Sequence, residues 1–112
     1  MTRYSLDLAR FLYKQIRFSS NAFGPGDRTA GILDHIRKEI AEVERATTDG
    51  DKMREFVDIV ILSLDAMWRL GFSPEEIVAA IQIKHNANMN RVWPDWRTVP
   101  HDKAIEHDRS QE

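Results

Sequence analysis

The sequence predicts an all-α fold: a bundle of four antiparallel helices over residues 1–97, followed by a short charged tail over 98–112. Three observations carry this reading. Apolar residues recur at helical spacing in four segments; the breaks between them hold glycine, proline and small polar residues; and no segment alternates as a strand. At 112 residues the chain suits one domain, with a modest core that gains from oligomerisation.

The first helix is expected from Ser5 to Arg17, with Leu8, Phe11, Leu12 and Ile16 on one side. Ser19 to Asp27 reads as a loop because of Gly24, Pro25 and Gly26. From about Thr29, the residues Ile32, Leu33, Ile36, Ile40 and Val43 form a second amphipathic stripe, broken at Thr47-Thr48-Asp49-Gly50. The third helix is expected from about Asp51 to Leu70, ending at Gly71. Apolar residues cover most of its circumference, the mark of a central, buried helix. Ser73-Pro74-Glu75-Glu76 supplies an N-cap, a proline at the first helical position and a capping-box glutamate. That fourth helix should run to about Arg91, before Trp93-Pro94. His101 to Glu112 is highly charged and expected to be mobile.

Composition excludes several chemistries. With no cysteine there is no disulfide, thiolate zinc site or cysteine nucleophile. A net charge of −2 gives no general pull toward nucleic acid or anionic membrane, and neither is expected as a partner. The start, Met1 to Asp7, lacks the apolar core of a signal peptide, and no run is long enough to span a membrane, so a cytoplasmic protein is expected. There is no Gly-Lys-Ser/Thr of a P-loop, no Glu-x-x-His of a di-iron bundle and no basic recognition helix.

The chemistry concentrates in two carboxylate pairs, Glu39 with Glu42 and Glu55 with Asp58. Each is spaced i, i+3, which puts the two Cβ atoms roughly 5–6 Å apart on one side of a helix. The twelve residues Val43 to Arg54 allow an antiparallel return, and facing helices would bring all four groups together. Asp58 lies within Phe56-Val57-Asp58-Ile59-Val60-Ile61-Leu62, where an unpaired carboxylate would be costly to bury. A hard divalent cation is the favoured counter-ion. The plainer alternative is a set of solvated faces with i, i+4 ion pairs; Asp65, four residues before Arg69, fits that description. On the fourth helix Lys84, Asn88 and Arg91 continue the stripe begun by Ile77 and Ile81, which suits an anion with several oxygens such as a polyphosphate. Mg²⁺ commonly bridges carboxylates to substrate phosphates. His35 lies one turn before Glu39, and Phe23, a loop aromatic flanked by Gly24 and Gly26, could stack on a base.

Glu39-x-x-Glu42, twelve residues, then Glu55-x-x-Asp58 resembles the signature of the MazG-like all-α nucleoside triphosphate pyrophosphohydrolases. Phe18 to Gly26, Asp34 to Glu42, and Lys84-x3-Asn88-x2-Arg91-x-Trp93-Pro94 are similar to the branch of dATP/dGTP diphosphohydrolases, near which the phage MazZ enzymes lie. The resemblance spans about residues 5–97 and departs at Asn21-Ala22, where a threonine is expected before Phe-Gly. It implies hydrolysis of dGTP, dATP or both to the monophosphate and pyrophosphate. It also implies two or more Mg²⁺ or Mn²⁺ ions on Glu39, Glu42, Glu55 and Asp58, with Glu39 or Glu42 activating water. Lys84 and Arg91 would hold the β- and γ-phosphates, Asn88 would add a hydrogen bond, and Phe23 would wall the base pocket. A homodimer or homotetramer in the cytoplasm of a bacterium or phage-infected cell is implied too. Hydrolysis of dCTP, dUTP or a damaged nucleotide, and a non-catalytic helical interaction module, are the alternatives.

Overall fold

The computed structural model describes residues 4–111. Among them are four α-helices and no strand: α1 (Leu8–Phe23), α2 (Thr29–Arg45), α3 (Asp49–Arg69) and α4 (Pro74–Met89). The all-α class is as expected, and the arrangement is compatible with a four-helix bundle. No described helix is long and apolar enough to cross a membrane.

The caps explain where each helix begins. The Asp7 carboxylate accepts from the Arg10 N–H (3.1 Å), Thr48 Oγ1 accepts from Asp51 N–H (3.1 Å), and Asp27 takes the Thr29 N–H (2.8 Å). The capping box before α4 is reciprocal: Ser73 Oγ accepts from Glu76 N–H at 3.1 Å, and Glu76 Oε1 accepts from Ser73 N–H at 2.9 Å. Three boundaries differ from expectation, the first being the start of α1 at Leu8, where Asp7 caps it, and not at Ser5. α1 runs on through Ser19–Phe23, because serine, asparagine and alanine there do not interrupt the backbone ladder; Gly24, at φ 85°, ends it and returns its N–H to Ser20 O. α4 stops at Met89, so Arg91 lies past the helix end.

The chain divides into two compact units, one ending at Val78 and one beginning at Ala79, with α4 crossing the boundary. In the first unit, α3 packs on α2 and on α1. Leu12, Leu64 and Ile77 form its core, flanked by Phe11, Met67 and Trp68. Burial all round α3 is not what the single chain shows. Phe56, Val57 and Val60 are exposed, because α1 and α2 cover only part of the helix surface.

Arg69 organises the end of this core. Its side chain is fully buried and paired with Asp65 at 2.8 Å, and the remaining guanidinium N–H groups reach Gly24 O (2.8 Å), Gly26 O (3.0 Å) and Ser19 Oγ (2.8 Å). Trp68 stacks 4.5 Å from the guanidinium and donates its indole N–H to Asp65. The carboxylate that sequence left ambiguous is therefore structural: it neutralises the cation that ties α3 to the α1–α2 connection.

In the second unit, residues of the expected tail lie against the segment after α4. Asp108 N–H donates to Val92 O (2.7 Å), and the His107 ring meets Trp93 edge-on at 5.6 Å. A 3₁₀ turn spans Trp96–Thr98.

Arg69→Met should destabilise the protein by about 3–5 kcal/mol, since it leaves Asp65 charged, buried and unpaired. Urea unfolding measures this, and Asp65→Asn with Arg69→Met should recover part of the loss.

Candidate active site

The connection between α2 and α3 is only Ala46–Thr48, so the two helices return on each other as an antiparallel hairpin. Glu39 and Glu55 are each eight residues from Thr47, which sets them level across the hairpin. Asp58 is one turn further along α3 on the same side. Carboxylate oxygens of Glu39, Glu55 and Asp58 lie within 4.8 Å of one another.

Glu42 does not join this group of three. In an antiparallel pair it is level with Lys52, not Asp58, leaving the two acids roughly 9 Å apart along the helix axes. Its Oε1 instead accepts from Arg45 at 2.6 Å. Asp58 also differs from expectation in being exposed, along with Val57 and Val60 beside it. Its energetic difficulty in the single chain is like charge, not burial.

That like charge is visible in Glu55, whose carboxyl is pushed from its ordinary 4.5 up to about 7. A proton shared in a hydrogen bond with Glu39 is the main cause, followed by desolvation and by repulsion from Glu39, Asp58 and Glu42. The Glu39 side chain is 13 % exposed: Oε1 meets His35 Nε2 at 3.2 Å, and Oε2 is buried and has no hydrogen-bond donor when Glu55 is ionised. A buried acceptor without a donor normally costs stability. Three converging carboxylates with one such oxygen fit a hard, oxygen-preferring divalent cation. His35 then orients Glu39 from behind, as groups outside a metal's own ligands commonly do.

A cavity of about 160 Å³ opens beside the cluster between α1, α2 and α3. His35 is common to both: it lines the cavity and lies 3.2 Å from Glu39. Phe18, Phe23, Ile32 and Ile61 give the cavity apolar walls, with Gln15 and Arg28 as polar lining groups. Phe23 is thus the last residue of α1 and not part of a loop; its ring meets Phe18 edge-on at 5.9 Å. Sequence reasoning passed over Gln15 and Arg28. Gln15 was detectable as an amide on the apolar face of α1, four residues before the equally buried Ser19.

Of the expected phosphate ligands, Lys84 is exposed on α4, and Asn88 and Arg91 are half-buried. Arg91 Nη1 donates to Asn88 Oδ1 at 2.7 Å, and Trp93 Nε1 donates to Asn88 O at 2.7 Å.

The model of a family described as dATP/dGTP pyrophosphohydrolase matches residues 12–112. No curated protein and no solved structure matches the chain.

The raised Glu55 carboxyl sets a pH dependence for the metal-free protein. Between about pH 4.5 and pH 7 the folded state keeps a proton that the unfolded chain has released. The resulting stability is complete below that window and is lost as pH rises through it. Melting temperature should therefore fall across the window more in the metal-free wild type than in Glu55→Gln. Adding Mg²⁺ near neutral pH should restore it, with proton release detectable in weakly buffered solution.

Proposed function

The chain belongs to the dATP/dGTP pyrophosphohydrolase family, and from that premise we propose that it cleaves purine deoxynucleoside triphosphates between the α- and β-phosphates. The products would be the nucleoside monophosphate and pyrophosphate. The single observation carrying the reading is the Glu39–Glu55–Asp58 cluster, with its buried, donorless Glu39 oxygen.

Glu39, Glu55 and Asp58 would hold Mg²⁺ or Mn²⁺, and Glu42 would extend the set to a second ion on releasing Arg45. When bound, such cations neutralise phosphate oxygens and lower the pKa of the attacking water. The chain's own contribution is positional. Glu39, fixed by His35, presents an acceptor to the water's proton; Glu42, exposed and one turn nearer the hairpin, is the other carboxylate suited to that task. Phe18 and Phe23 would flank the base in the adjacent cavity. Lys84, Asn88 and Arg91 are proposed as ligands of the β- and γ-phosphates, from their stripe on α4 and from the resemblance.

The exposed Phe56, Val57 and Val60 support assembly into a homodimer or homotetramer, in which a second copy would cover the open face of α3. A cytoplasmic location is kept as part of this reading.

With dGTP or dATP and Mg²⁺, the expected products are monophosphate and pyrophosphate. Release of orthophosphate, or turnover that survives EDTA, would sink the mechanism. Glu39→Gln and Asp58→Asn should keep the fold, by circular dichroism, and lose turnover by about 10²-fold or more, the scale for removing one group that stabilises transition-state charge. Full activity in either variant would remove that residue from the site.

A further inference from the structure

The cavity between α1, α2 and α3 holds two polar groups that the fold does not satisfy. Gln15 is more than nine-tenths buried; its Nε2 donates to Ile61 O at 2.9 Å, while its Oε1 is sealed from water with no donor. Arg28, at the start of α2, lines the same cavity, and no described acceptor or carboxylate pairs with its guanidinium. Arg28 Nη2 lies beside Gly31, where a Cβ would stand 3.5 Å from it, an ordinary contact, so the guanidinium rests against α2.

We infer that Arg28 and Gln15 select guanine over adenine, an assignment that rests on the proposed hydrolysis of purine deoxynucleotides at this site. Distance comes first. Arg28 and Glu39 are eleven residues apart on one helix, so their Cα atoms are separated by roughly 16 Å. That separation leaves room for a base beside Arg28 while the phosphates extend toward the carboxylate cluster. An apolar cavity fills the interval, and a void of about 150 Å³ is enough to hold a benzene ring.

Hydrogen-bond chemistry then separates the two purines. A guanidinium offers donors only, so the base edge it meets must offer only acceptors. Guanine presents O6 and N7 side by side, the commonest partner of an arginine fork; adenine presents N7 beside the N6 amino group, a donor facing donors. The Gln15 carbonyl oxygen needs a donor in turn. Guanine supplies N1–H and the 2-amino group from another part of its perimeter, while adenine's one exocyclic donor is the group Arg28 opposes. Guanine gives Arg28 two adjacent acceptors and Gln15 a donor at once, whereas adenine, with its N6 amino group donated to Gln15, offers Arg28 one acceptor and no fork.

The test compares kcat/KM for dGTP and dATP with the full chain and Mg²⁺. Wild type should prefer dGTP by about tenfold or more, the discrimination of one bidentate base contact. Arg28 is exposed, so Arg28→Met should fold normally and lose most of that ratio. Gln15→Met, checked by melting, should lower the ratio too. With wild type alone, 7-deaza-dGTP, which lacks the N7 acceptor, should fall toward the dATP rate. Equal turnover of dGTP and dATP, a preference for dATP, or an unchanged ratio in Arg28→Met would overturn this inference alone. No turnover of any purine deoxynucleotide would overturn the reading of the site, and this inference with it.

Discussion

Repulsion between carboxylates held face to face is the constraint around which the rest of the first unit is arranged. Glu39 and Glu55 meet because a three-residue turn returns α3 along α2 with those positions level. Asp58 adds a third charge one turn on. Left to itself, the cluster raises the Glu55 carboxyl to about 7, chiefly through its hydrogen bond with Glu39. The structure tolerates this because the helices are fixed by packing elsewhere, at Leu12, Leu64 and Ile77. Three carboxylates converging at this spacing could hold a divalent cation, which would offset their mutual repulsion.

A second buried charge plays the opposite part. Arg69 is neutralised and fully hydrogen-bonded, and it draws on α3, the end of α1 and the glycine-bearing connection at once. Phe23 and Arg28 flank that connection, so the cavity's aromatic wall and its cationic lining group are set by the same guanidinium. The converging acids of the cluster are left with like charge, and the acid paired with a cation holds the frame. Both kinds of carboxylate sit on α3.

Sequence carried the fold well because its signals were local. The Ser73–Glu76 capping box, the Gly71 stop and the α2 stripe each depend on residues a few positions apart, and each is present. The carboxylate motif was equally legible as a set of residues. Its geometry was not, because the divergence of Glu42 from Asp58 follows from hairpin register, a relation between helices. The exposure of Asp58 and its apolar neighbours was hidden for a similar reason: an apolar circumference says that a surface is to be covered, not which chain covers it. The extension of α1 through Phe23 shows that serine and asparagine break a helix only when their side chains have a better alternative, and Gly24 was the true stop. Gln15 was visible as an amide on an apolar helix face, whereas Arg28 became notable only once the cavity left its guanidinium without a partner among the described residues.

The turn at Ala46–Thr48 also bears on how such a protein can change over generations. Surface connections are ordinarily where chains gain and lose residues with little consequence. Here an added residue in the first turn of α3 would advance the helix by about 1.5 Å and rotate it by about 100°. Glu55 and Asp58 would be carried off the face that Glu39 occupies, although every side chain in the motif remained intact. A short connection at the surface is thus not free to drift in length.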